Sequence, residues 1–166
     1  MPGSMPGSMP ESASGSVSGS APESAPGETS VFDLSDKSLH QCIGCWTCWL
    51  KTPGRCAFKD LNEFYEGYLS ADRVTFYVLV SQGFVTSNMK ALIDRMIPFV
   101  LPSISWATGE SLHEPRYTRY PEVDVFYQGD FLPDEEEAFI AYWKRTLLMM
   151  FAPRVSVQRF QKEDVP

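Results

Sequence analysis

The sequence lacks a long apolar run, an excess of basic residues and the short motifs of hydrolases and nucleotide-triphosphate hydrolases. No apolar stretch approaches the roughly 20 residues that a membrane-spanning helix needs, so we expect no membrane partner. The 14 Lys and Arg residues are outnumbered by 21 Asp and Glu, for a net charge of -7. That charge disfavours nucleic acid as a partner, because such binding depends on neutralising phosphates. The G-x-S-x-G, P-loop and H-E-x-x-H patterns are missing, so the sequence gives no support for a hydrolase or a nucleoside triphosphatase.

Residues 1–30 have few large apolar side chains. Nine Ser, five Gly and five Pro make up most of this segment, which opens with an imperfect repeat of Met-Pro-Gly-Ser. Such a segment cannot bury enough surface to offset its ordering entropy. It also lacks the basic start and apolar middle of a secretory signal. We therefore predict a disordered low-complexity tail over 1–30, a single domain over 31–166 and a soluble, cytoplasmic protein.

Strand-like and helix-like segments alternate along the remaining chain. Continuous β-prone runs without polar alternation are typical of strands covered on both faces, and apolar residues at i, i+3, i+4 and i+7 predict helices. The predicted elements are a short strand at Val31–Leu34, a helix opened by Asp60, a central strand at 74–80 covered on both faces, a helix stopped by Pro98, a strand at 123–127, a helix over 134–151 and a strand at 155–160. This alternation predicts an α/β fold with a doubly wound parallel sheet.

The loops that follow the strands are the expected binding site, because ligands of such sheets bind beyond the carboxyl ends of the strands. These loops begin after Leu34, Val80 and Tyr127. The connection from Pro98 to Pro121 is longer than is usual in a compact domain and indicates a functional or oligomer contact. The only histidines are His40 and His113, and no side chain is predicted to act as a catalytic acid or base.

All four cysteines lie within 15 residues of one another. Cys42, Cys45, Cys48 and Cys56 have the spacing C-x2-C-x2-C-x7-C. Three thiolates at two-residue gaps can hold three corners of an iron–sulfur cubane, and a fourth can reach the remaining iron after a turn at Pro53–Gly54. Zinc prefers two separated C-x2-C pairs, and disulfides suit small secreted scaffolds. Zinc, redox-active thiols and unliganded cysteines remain alternatives. We expect Trp46 and Trp49 to shield the site.

Three segments carry a resemblance to a known family. They are Cys42-Ile-Gly-Cys45-Trp-Thr-Cys48-Trp, then Lys51-Thr-Pro-Gly-Arg-Cys-Ala-Phe-Lys-Asp60, and Lys90-Ala-Leu-Ile-Asp-Arg95. The chain resembles the NAD(P)H-dependent FMN reductase and iron–sulfur flavoprotein group of the flavodoxin-like superfamily from Val31 to about Phe160. The resemblance implies a flavodoxin-like sheet, FMN, NAD(P)H or another electron donor, and a homo-oligomer. It implies a 4Fe–4S cluster for the members that use the cysteine motif, whereas related flavoproteins keep some of these cysteines without one.

Two departures from the family affect the flavin. Nothing before Val31 resembles the family's first strand and phosphate-binding loop, so we expect an N-terminally truncated sheet, a strand supplied by another chain or a fold closed around the gap. The family's flavin loop corresponds to Ser81, Gln82, Gly83 and Phe84, which we take as cofactor-binding residues. The chain is then expected to pass electrons through FMN to a redox partner or small-molecule acceptor. The alternative is a non-catalytic paralogue that binds a metal or partner through its cysteine loop without FMN.

Overall fold

A computed structural model describes residues 29–35, 38–106 and 109–160. These ranges contain four helices, one 3-10 turn and six strands. The helices are α1 (Thr47–Leu50), α2 (Asn62–Ser70), α3 (Ser87–Asp94) and α4 (Glu135–Met149), with the 3-10 turn at Ile97–Phe99. The strands are β1 (Arg73–Ser81), β2 (Phe84–Val85), β3 (Val100–Ser105), β4 (Leu112–Pro115), β5 (Glu122–Gln128) and β6 (Val155–Arg159).

The main sheet has the order β2-β1-β5-β6. β1 runs parallel to β5 from the pair Arg73/Glu122 to the pair Leu79/Gln128, and β5 runs parallel to β6. The crossover from β1 to β5 contains α3, and that from β5 to β6 is α4. The predicted mixed α/β fold with a parallel sheet is confirmed, and the arrangement is consistent with a flavodoxin-like fold.

The core lies on the face of the sheet that carries Phe76. The ring of Phe76 lies 6.4 Å from that of Phe64 in α2 and 5.5 Å from that of Trp143 in α4. Buried side chains of α3, such as Leu92, belong to the same cluster. Burial of this apolar surface stabilises the domain.

The opposite face of β1 is open within the described residues. Tyr77 is 54% exposed and Leu79 is 66% exposed, so the prediction that both faces of this strand are covered is wrong for the described part of the chain. Successive side chains of a strand point to opposite faces, and both α2 and α4 pack against the Phe76 face. An apolar run predicts a strand but does not determine how many layers pack against it.

Several predicted boundaries change in the structure. Val31–Leu34 forms no strand, and the edge position beside the end of β1 is taken by β2, which pairs antiparallel with Val80 and Ser81. The helix predicted from Asp60 begins at Asn62. Its cap at Leu61 has no side-chain hydrogen bond, because the Asp60 carboxylate binds Arg95 instead.

The long connection before β5 has a structure of its own. β3 and β4 pair antiparallel as a separate two-stranded sheet. The predicted tail, apart from Thr29 and Ser30, lies outside the described residues. Within the described ranges, every helix is too short or too polar to cross a lipid bilayer.

Candidate functional site

The cysteine loop is built around one turn of helix and one tight turn. α1 carries Cys48 and Trp49, and the chain then reverses so that the Gly54 N–H donates to the Cys48 carbonyl oxygen at 3.1 Å. Gly54 has φ +81°, and a Cβ there would lie 2.8 Å from the Tyr117 hydroxyl oxygen. Both observations require glycine. The predicted turn that returns Cys56 toward the other cysteines is therefore present.

All four cysteines line a single cavity of about 210 Å³. The rest of its wall includes both loop tryptophans, Phe58 and the residues around the end of α3, namely Asp94, Arg95, Ile97 and Pro98. The four thiols are free of disulfides. In the described part of the chain, no group of three or more His, Cys, Asp or Glu side chains is placed to hold a metal ion.

The lining of this cavity supplies the ligand type of an iron–sulfur cluster. Such clusters are held by Cys thiolates distributed over separate iron atoms. The predicted metal residues thus line one cavity, and their binding of a cluster stays a prediction.

The electrostatic surroundings of two of these thiols differ. Hydrogen bonds from the Thr47 side chain and backbone lower the pKa of Cys45, which is exposed. Burial raises the pKa of Cys48, with a smaller contribution from nearby Cys56. Because the thiolate is the metal-binding form, Cys45 is the more readily available ligand. Metal binding at Cys48 would release a proton.

A partly buried ion pair lies beside the cavity, which Arg95 lines. Arg95 donates from Nη1 and Nη2 to the two carboxylate oxygens of Asp60, at 2.9 and 2.5 Å. The backbone N–H of His40 donates to the same carboxylate at 3.0 Å. The guanidinium of Arg95 holds the pKa of Asp60 well below its usual range, although desolvation of the carboxyl acts in the opposite direction. This pair ties the cysteine loop to the end of α3.

Trp49 forms the wall between the cavity and the β3–β4 hairpin. Its indole N–H donates to the Val100 carbonyl oxygen at 3.0 Å, and its ring lies 5.0 Å from that of His113. Trp46 contacts Trp49 edge-on at 5.4 Å but is 58% exposed. Trp49 is therefore a packed wall residue, whereas Trp46 faces solvent at the mouth.

The predicted flavin residues form the tight turn between β1 and β2. Gln82 and Gly83 both have positive φ, 53° and 72°, as a two-residue hairpin turn requires. Ser81 and Gln82 are exposed, so their polar groups are available to a ligand. The Phe84 ring packs edge-on against Tyr142 at 4.9 Å.

Gly83 lies directly against α4. A Cβ at Gly83 would overlap the carboxylate of Glu135, so this side of the turn is already occupied. The turn precedes α3, whereas the cysteine cavity includes residues that follow it. An eight-residue helix is about 12 Å long, so the two predicted groups lie at opposite ends of α3.

Arg95 and Asp60 are site residues that sequence reasoning missed as a pair. Asp60 matched a helix-capping pattern, and Arg95 was considered only with its neighbour Asp94, as a brace of the helix against the sheet. The available signal was that Arg95 stands among Leu92, Ile93 and Met96, where a charged side chain is buried only with a partner. Its partner lies 35 positions away and is therefore not visible in local sequence.

Comparison with known proteins gives two partial matches. The chain is 37% identical over 68 residues to an iron–sulfur flavoprotein of Methanocaldococcus jannaschii, covering 41% of this chain and 34% of that protein. It is 34% identical over 73 residues to an iron–sulfur flavoprotein of Archaeoglobus fulgidus, covering 43% of this chain and 32% of that protein. Both relatives are iron–sulfur flavoproteins by name. This chain spans about a third of the length of each.

No family model matches the chain. The search of solved structures also gave no match. The names of both relatives agree with the family that the cysteine segment resembles.

Proposed function

We propose that this chain is an electron-transfer flavoprotein that holds a 4Fe–4S cluster through Cys42, Cys45, Cys48 and Cys56. The observation that carries the proposal is that these four thiols line one cavity. Two partial relatives named iron–sulfur flavoproteins support the same assignment. A bound cluster would supply one-electron transfer.

The residues of the cavity have distinct parts in this proposal. Cys45, exposed and with a lowered pKa, provides the first thiolate. Trp49 separates the thiols from the hairpin and limits water in the cavity, which influences the potential of a cluster. The Asp60–Arg95 pair holds the loop in place, so that the four thiols keep their positions.

The flavin part of the proposal places FMN against Ser81, Gln82, Gly83 and Phe84. The exposed polar groups of Ser81 and Gln82 support it, as do the names of the relatives. NAD(P)H is the proposed reductant, and a redox partner or small-molecule acceptor receives the electrons. A homo-oligomer is the proposed assembly.

A second candidate function is cluster or metal binding without FMN. It is favoured by the contacts of two of the four turn residues. Gly83 faces the Glu135 carboxylate, and the Phe84 ring packs against Tyr142. A flavin at this turn would therefore rely on the other two residues.

One experiment separates these functions. The full chain is reconstituted anaerobically with ferrous iron, sulfide and FMN, and iron, sulfide and released FMN are measured per chain. We expect about four irons per chain with stoichiometric FMN, and iron without FMN would select the second candidate. Cys45→Ser should lose most of the iron, and the control Lys59→Gln should keep it. Equal iron in Cys45→Ser and the unmodified chain would contradict the cluster assignment.

A further inference from the structure

Arg95 is a charged residue whose side chain is almost completely buried. Its side chain is 1% exposed and lines the same cavity as the four cysteines. Arginine stays protonated in proteins, so a permanent positive charge lies at the wall of the proposed cluster site. A buried charge of this kind needs partners to be tolerated.

The guanidinium has five N–H donors, and the structure accounts for four of them. Two donate to the Asp60 carboxylate, one to the His40 carbonyl oxygen at 3.1 Å and one to the Phe58 carbonyl oxygen at 3.2 Å. The fifth donor, at Nε, is buried and has no acceptor among the described residues. An unpartnered donor in such a place costs free energy, which indicates an acceptor that belongs to the site.

Arg95 and Cys56 line the same cavity. Burial of Arg95 opposes its charged form, whereas hydrogen bonding to Asp60 raises the pKa of Arg95. The Tyr65 hydroxyl donates to the Arg95 carbonyl oxygen at 2.8 Å and thereby holds the backbone of Arg95. The charged group is therefore held at the wall that it shares with the four cysteines.

Building on the proposed function, we propose that Arg95 is a positioning residue that raises the reduction potential of the cluster held by the cavity cysteines. Its free Nε–H would donate to a sulfur of the site, and its charge would favour the more negative, reduced state. One-electron reduction adds one negative charge to the cluster, and the electron comes from the reductant. Hydrogen bonds to the sulfurs and the net local charge are known determinants of cluster potentials.

Asp60 reduces the effect that the charge of Arg95 has on the potential. Its carboxylate lies on the side of the guanidinium away from Nε and compensates part of the positive charge. Removing charge from Asp60 should therefore act in the opposite direction to removing charge from Arg95. A residue that only braces the loop would not produce shifts of opposite sign.

The test measures the midpoint potential of the cluster in the full chain. After anaerobic reconstitution with ferrous iron and sulfide, dithionite titration is followed by electron paramagnetic resonance. Arg95→Gln should shift the potential to more negative values and Asp60→Asn to more positive values. Arg95→Lys should lie closer to the unmodified chain. Lys144→Gln, which removes an exposed charge on α4 away from the cavity lining, should cause no shift beyond replicate scatter.

The outcomes distinguish this inference from the proposed function. Loaded Arg95→Gln with an unchanged potential overturns the role of Arg95 and leaves cluster binding intact. If Arg95→Gln does not fold, Asp60→Asn decides, and no positive shift in that variant overturns the inference. An unmodified chain that retains no iron overturns the proposed function and the role of Arg95 with it.

Discussion

Replacing Asp60 by alanine removes the carboxylate that neutralises the buried guanidinium of Arg95. Two charge-assisted hydrogen bonds are lost, at 2.9 and 2.5 Å, and breaking a buried pair in this way typically costs about 3–5 kcal/mol. The Asp60 side chain is 24% exposed while that of Arg95 is 1% exposed, so water recovers part of the loss. We therefore expect Asp60→Ala to lower the free energy of unfolding by roughly 2–4 kcal/mol.

Asp94→Ala is the matched control. Asp94 also pairs with a basic residue, Lys90, four positions away on the same helix. Both side chains of this pair are more than a third exposed, so the loss should be at most about 0.5 kcal/mol. Urea unfolding followed by circular dichroism measures both variants. If Asp60→Ala loses no more stability than Asp94→Ala, the ion pair does not hold the cysteine loop as we argue.

Three further outcomes follow from the same structure. Because the pKa of Asp60 is lowered in the folded chain, its stabilisation is complete above the ordinary value of about 3.9 and is lost as the pH falls below it. Urea titrations between roughly pH 5 and pH 2 should thus show a shallower loss of stability for Asp60→Ala than for the unmodified chain; parallel curves would contradict this. In the metal-free chain near pH 7, iodoacetamide should alkylate Cys45 faster than Cys48, since the pKa of Cys45 is lowered and that of Cys48 is raised by burial. Peptide mass spectrometry measures the order, and equal rates would oppose it. Gly83→Val should cost at least about 1–2 kcal/mol in urea unfolding, because the residue has positive φ and left-handed backbone is unfavourable for valine; an unchanged midpoint would refute the hairpin turn.

Local sequence determined the type and rough position of most elements. The β-prone run before Ser81 predicts β1, and the apolar spacing at Met89, Leu92 and Ile93 predicts α3. Both signals are local, so they can be recognised without knowledge of the rest of the chain. The turn at Gly54 was also predictable, because Pro-Gly marks a reversal at that position.

The close spacing of the four cysteines within 15 residues predicts a metal-binding loop, with redox-active thiols and unliganded cysteines as alternatives. Metal binding stays a prediction. That these thiols share one cavity is a result of the tertiary structure, since α1, the turn at Gly54 and the end of α3 all contribute walls. The assignment of the turn at Ser81–Phe84 to a flavin stays a prediction.

Three features were decided only by tertiary structure. The Asp60–Arg95 pair joins residues 35 positions apart. The local capping pattern had assigned Asp60 to the start of a helix instead. β2 occupies the edge beside the end of β1, and the segment Val31–Leu34, predicted as a strand, forms none. The open face at Tyr77 depends on which side α2 and α4 pack. Each of these features depends on contacts between residues that are distant in the sequence. The periodicity of side chains shows which positions are apolar or polar, but it does not show which residues contact each other.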